Sequence, residues 1–70
     1  LMTAQLRQRI KERDNYTCQN PGCGNSIMRE RILVLEVVHK VPLSNGGNNE
    51  PENLQTLCWR CVRGRNLRLA

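Results

Sequence analysis

Cys18-Gln19-Asn20-Pro21-Gly22-Cys23 near one end of the chain is answered near the other by Cys58-Trp59-Arg60-Cys61. Four residues separate the first two thiols, two separate the second two, and 34 lie between the pairs. Close pairs set in tight polar turns are how a chain presents four thiolates to one tetrahedral zinc. Asn20, Pro21, Gly22 and Gly24 let the backbone bend around an ion at the first pair. Two disulfides are the alternative. Close pairs would pin distant parts of a chain poorly, and no secretory signal accompanies them. With sulfur in all four positions the coordination shell is closed, so a structural zinc would brace the fold and do no chemistry. Its binding would be coupled to folding.

The rest of the chain explains why a brace is needed. Its 70 residues make one small domain, 1–70, with 39% apolar residues, one Trp, one Tyr and no Phe. A core at this size rarely supplies more than ~3–5 kcal/mol. A charged fraction of 24% together with clear apolar runs excludes full disorder. No stretch approaches the ~18 consecutive apolar residues of a membrane span, and no membrane partner is expected. The chain opens on Leu1, which leaves open a longer protein and a removed targeting segment. Thiols paired this way without a secretory layout point to a reducing, cytoplasmic compartment.

Working outward from the cysteines, Thr3 is placed to cap a helix over Ala4 to Lys11, with Leu6 and Ile10 four apart on one stripe. Arg13-Asp14-Asn15-Tyr16 reads as its exit into the first cysteine turn. The branched apolar run from Arg31 to Val41 predicts a strand, stopped by Pro42. Ser44 to Glu50 is rich in Asn and Gly and reads as a loop. Leu54 to Leu57 predicts a second strand. Trp59 to Leu69 predicts a basic helix weakened by Gly64.

Lys plus Arg number 11 against six Asp plus Glu, a formal net charge of +5 with a pI near 9.6. Arg60, Arg63, Arg65 and Arg68 follow the second pair, Arg7, Arg9, Lys11 and Arg13 cluster near the start, and Lys40 sits between. This is an electrostatic footprint for phosphate backbone, with solubilising charge as the plainer reading. With Trp59 and Tyr16 alone as aromatics, a base-stacking platform is not expected. The mode this favours is duplex backbone binding with little sequence readout. His39, the one histidine, stands at the end of the first strand, beside the loop. Asn53 follows that loop and is placed to orient an imidazole. A lone histidine is more often structural than catalytic.

Leu35-Glu36-Val37-Val38-His39-Lys40-Val41-Pro42-Leu43-Ser44-Asn45-Gly46-Gly47, then Glu52-Asn53-Leu54-Gln55-Thr56-Leu57-Cys58 and Trp59-Arg60-Cys61, resembles the HNH endonuclease family, in particular its zinc-stapled subgroup. Arg13-Asp14-Asn15-Tyr16-Thr17-Cys18 is similar to that subgroup as well, and the likeness covers roughly residues 13–65. The resemblance implies a small α+β fold. Its centre is a ββα-metal unit with an N-terminal helix and a structural zinc on Cys18, Cys23, Cys58 and Cys61. It implies metal-assisted hydrolysis of phosphodiester bonds in DNA with a divalent cation such as magnesium or manganese. His39 would be general base on the attacking water and Asn53 would hold loop and histidine in place. Lys40, Arg60, Arg63, Arg65 and Arg68 are the expected nucleic-acid contacts.

The departures bear on the chemistry. The residue before the base and the residue after the fourth cysteine carry metal-side donors in that family. Here they are Val38 and Val62, and a hydrocarbon has no lone pair for a hard cation. Glu36 or Asn66 are substitute donors, although Glu36 reads more simply as a solvated carboxylate. The leading reading is a nuclease with a weakened or unusual metal site; the alternative is a non-catalytic zinc-stapled DNA-binding module. A protein–protein adaptor is a third, disfavoured by the arginine-rich ends.

Overall fold

The computed structural model describes residues 2–70. Thr3 opens helix α1, Ala4–Arg13, as expected: its backbone is extended and its Oγ1 accepts the Leu6 amide at 3.0 Å. That bond satisfies one of the donors a helix start leaves free. The helix runs two residues past the sequence expectation and then reverses sharply. The Tyr16 amide donates to the Lys11 carbonyl at 2.9 Å and the Asn15 amide to Glu12 at 3.0 Å. Asn15 takes the left-handed conformation, φ 56°. This is a Schellman closure with asparagine where glycine is commoner. Tyr16 also has positive φ, uncommon for a bulky side chain. Its hydroxyl accepts from Gln8, and it packs against the cysteine cluster.

Strands β1, Leu35–His39, and β2, Leu54–Cys58, pair antiparallel from Leu35↔Cys58 to His39↔Leu54. β2 lies where the sequence placed it. β1 is shorter than the predicted Arg31–Val41, because β2 offers a ladder of only five residues. Beyond it the Lys40 amide turns to the Asn53 carbonyl at 2.7 Å, and before it Leu33 closes a turn onto Glu30. Ile32 is consequently 89% exposed. A branched apolar run without a partner strand is not held extended.

Helix α2, Trp59–Gly64, follows β2 directly. The predicted extension to Leu69 fails at a second Schellman closure. The Leu67 amide donates to Val62 at 3.0 Å and Asn66 to Arg63 at 3.1 Å, with Asn66 at φ 53°. Leu67 then packs on the cluster containing Val62, the apolar contact that usually accompanies this motif. Arg65 is therefore the cap and Arg68 lies in the tail, not on a helical face.

Two apolar clusters form against the two-stranded ribbon. In one Val37 and Leu54 meet Ile10 of α1, with Met2, Leu6 and Ala70 around them. In the second Leu35, Val38 and Leu57 meet Cys18, Cys58, Leu33 and Val62. The tail is tied along β1: the Ala70 amide donates to Val37 at 2.8 Å and Arg7 to the Ala70 carbonyl at 2.7 Å. The result is a small α+β fold with an N-terminal helix, two antiparallel strands and a closing helix. No helix among the described residues is long and apolar enough to cross a membrane.

Candidate metal centre and nucleic-acid interface

The first cysteine turn is closed by a Thr17↔Ser26 bridge and by the Cys23 amide donating to Asn20 at 3.0 Å. The second begins where β2 passes into α2, with Cys58 as the residue before the helix. Folding thus carries all four sulfurs to one point, within 4.8 Å of one another, and Cys23 and Cys58 stand 3.9 Å apart. A tetrahedron with ~2.3 Å metal–sulfur bonds has edges of ~3.8 Å, so the set fits a zinc site. The thiols are free. Convergence of both pairs on one centre is what a metal requires and two separate disulfides do not. The Asn20 amide donates to Cys61 Sγ at 3.3 Å, a support of the kind that orients thiolate ligands. Burial pushes the Cys18 thiol up and the Cys61 thiol up to about 12, whereas the Asn25 backbone amide holds Cys23 below its ordinary value. A cation at the centre is what lets such thiols ionise together.

At the far end of the ribbon, Asn53 and His39 meet the loop between the strands. The Asn53 carboxamide accepts the Val41 amide at 2.8 Å and donates to the carbonyls of Val41 at 3.0 Å and Asn48 at 2.8 Å. One side chain thereby closes the loop on itself. Gly47 lies inside this clasp. A Cβ there would strike the Val41 carbonyl oxygen and crowd Asn53 Nδ2. His39 is the last residue of β1, half-buried, and its Nε2 donates to Asn49 Oδ1 at 2.6 Å. That bond directs the Nε2 proton to Asn49 and leaves Nδ1 as the lone-pair nitrogen of a neutral ring. Asn49 escaped the sequence reading because an Asn in an Asn/Gly-rich loop signals a turn first. His39 opens on a cleft of about 770 Å³ walled by Pro42 and Leu43 of the loop and by Asn66, Arg68 and Ala70 of the tail.

At the two positions that the resemblance gives to metal-side donors, the side chains are hydrocarbon. Val38 is 1% exposed and Val62 8%, and both belong to the apolar cluster around Cys18 and Cys58. They face packed hydrocarbon and sulfur. Among the described residues the four cysteines form the one group of three or more His, Cys, Asp or Glu side chains placed to share an ion. Glu36 and His39 join no such group. The residues present fit a structural zinc.

The expected basic contacts separate. Arg68 lines the His39 cleft, but Lys40 lines a different one. Arg60 pairs with Glu30 at 3.0 Å and lies 4.8 Å from the Trp59 ring centre; Arg63 lies 5.8 Å from the same ring. Trp59, half-buried, thus packs against the core and holds two guanidinium groups. Arg65 is exposed at the end of α2. Arg13 is a latch: it donates to Asp14, to the Pro51 carbonyl and to the Leu54 carbonyl, both carbonyls at 2.8 Å.

Two short helices around an antiparallel ribbon, stapled by a four-cysteine centre and ending in a clasped His–Asn loop, define a zinc-fitted ββα unit. Compared with family models, the chain matches the HNH endonuclease family over residues 18–68, and it belongs to that family. Neither the curated proteins nor the solved structures contain a match to it. Membership gives it the function class of nucleases and nucleic-acid-binding domains, with nucleic acid as the partner.

Proposed function

We propose that this domain binds nucleic acid, double-stranded DNA in particular, by its phosphate backbone across the His39 cleft, and that the metal-assisted hydrolysis typical of its family is lost in this chain. Zinc on the four cysteines is the brace, and cysteines kept for a metal rather than for disulfides suit a reducing, cytoplasmic compartment. The observation that carries the reading is the burial of Val38 and Val62 in one apolar cluster with the zinc-site sulfurs. The basic balance of +5 and Arg68 in the cleft support backbone binding.

A second reading, endonuclease with His39 as general base, is favoured by the Asn53 clasp and by the Asn49 bond that presents Nδ1. In that reading Nδ1 takes a proton from water, the water oxygen attacks phosphorus, the P–O ester bond to one sugar breaks, the departing sugar oxygen takes a proton from solvent, and Arg68 opposes the charge that gathers on the phosphate oxygens. A plasmid-nicking assay with magnesium or manganese separates the two. We expect duplex binding that weakens steeply with salt and no nicking. Nicking by the wild type that disappears in His39→Ala would establish the second reading and overturn the first.

A further inference from the structure

His39 and Lys40 are consecutive, but β1 ends at His39 and the two side chains line different clefts. His39 opens on the tail-walled cleft. Lys40 opens on a separate cleft of about 270 Å³, where the end of α1 meets β2, lined by Arg13, Asp14, Gln19, Lys40 and Gln55. Every lining residue is polar or charged.

The cleft is prepared for an anion. Asp14 is its one carboxylate, and both oxygens are engaged: Oδ1 by Arg13 Nε at 2.9 Å, Oδ2 by Arg13 Nη2 at 3.1 Å and by the Thr56 amide at 2.9 Å. Two cations against that carboxylate leave the lining net positive. Arg13 and Gln19 are already tied to the fold, Gln19 donating to the Thr17 carbonyl at 2.9 Å. Lys40 Nζ and the Gln55 carboxamide make no hydrogen bond among the described residues, and both can donate. At ~30 Å³ for each water, the space takes a phosphate with part of its hydration shell.

We propose that the Lys40 cleft is a second phosphate subsite, with Lys40 as the charge and Gln55 as the orienting donor. One backbone phosphate of a bound duplex would occupy it and another would lie at His39, with the end of the ribbon between them. This occupant rests on the nucleic-acid reading above; a free phosphate is the other source of the same chemistry.

The test uses the zinc-loaded protein. Duplex affinity is measured against salt for the wild type, Lys40→Gln, and Arg31→Gln as a charge-matched control on an exposed turn. Loss of one backbone contact should lower the slope of log K against log salt by about 0.9 in Lys40→Gln, and by less in the control. In parallel, inorganic phosphate is titrated while the Gln55 side-chain amide is followed by NMR. A Gln55 shift that vanishes in Lys40→Gln supports the subsite even where no duplex binds, and would then assign it to free phosphate while the nucleic-acid reading falls. A slope change specific to Lys40→Gln assigns it to the backbone. Equal slopes in both variants together with an unmoved Gln55 amide would overturn the proposal.

Discussion

The Val62 carbonyl accepts the Leu67 amide at 3.0 Å, and Leu67 packs against the cluster that holds Val62. The position that the family resemblance assigns to a metal ligand is here the apolar anchor of a helix end. Val38 fills the matching place on the ribbon, 1% exposed. These two positions lie in the core, whereas Asn53 and His39 are half-buried beside the loop.

Restoring donors at these positions tests that view. Val38→Asp places a carboxylate among packed hydrocarbon, and an unpaired buried charge is destabilising by several kcal/mol. We expect a large fall in melting temperature for Val38→Asp and a smaller one for Val62→His, which is nearer the surface. A melting temperature of the double variant that rises with manganese, while the wild type's does not, would show that donors there can still share an ion. No response would mean that the backbone frame has moved away from metal binding altogether.

Removal of the zinc-site metal should unfold the domain rather than loosen one end. The four sulfurs join the first cysteine turn to the end of β2, and two of them, Cys18 and Cys58, are core residues in their own right. Titration with a strong chelator, followed by circular dichroism, is expected to abolish helix and strand signals together, and readdition of zinc to restore them. Cys58→Ser should fail to fold at any zinc level. Retention of native spectra after chelation would show that the apolar clusters suffice alone.

Asn53 is the most consequential side chain of the loop. Asn53→Ala removes the acceptor for the Val41 amide and the donor for the Val41 and Asn48 carbonyls. Unmade bonds of this kind are destabilising by roughly 1–3 kcal/mol in partly buried settings. The expected signature is local: fast hydrogen exchange at Val41 and its neighbours, with β2 protection little changed. Nucleic-acid affinity should fall as well, since the loop walls the His39 cleft. Uniform acceleration of exchange across the molecule would instead make Asn53 a global stability residue.

Where sequence reading succeeded, the signal was local chemistry. Thr3 caps because its hydroxyl suits a helix start, and the cysteine pairs converge because their spacing leaves one economical geometry. Where it failed, the deciding partner was distant or the signal was ambiguous. Ile32 carries strand propensity, but whether it pairs depends on how far β2 reaches. Asn66 ends α2 eight residues after Cys58, and Asn as a left-handed cap was the available clue. Lys40 and Arg68 looked equivalent in the charge pattern. Only folding sends one to the α1 side and the other to the tail. The Asn49–His39 bond and the free donors of Gln55 have no sequence signature, because each depends on loop and strand register.

The Arg13–Asp14 latch gives stability a defined response to acid. Burial pushes the Asp14 carboxyl up, but the hydrogen bonds from Arg13 and Thr56 outweigh it and hold it below the ordinary carboxylate range. A carboxyl depressed in the folded state contributes stability above its unfolded value, and that contribution disappears as pH falls through the folded one. Asp14→Asn keeps an acceptor but removes the charge, so it should melt lower than the wild type at neutral pH. The gap between the two should close as the pH is lowered from about 5 towards about 2. Comparing the two proteins cancels the loss of zinc that acid also causes. Melting curves of both across that range decide the point: a gap that stays constant, or widens in acid, would mean that Asp14 acts through hydrogen bonding alone.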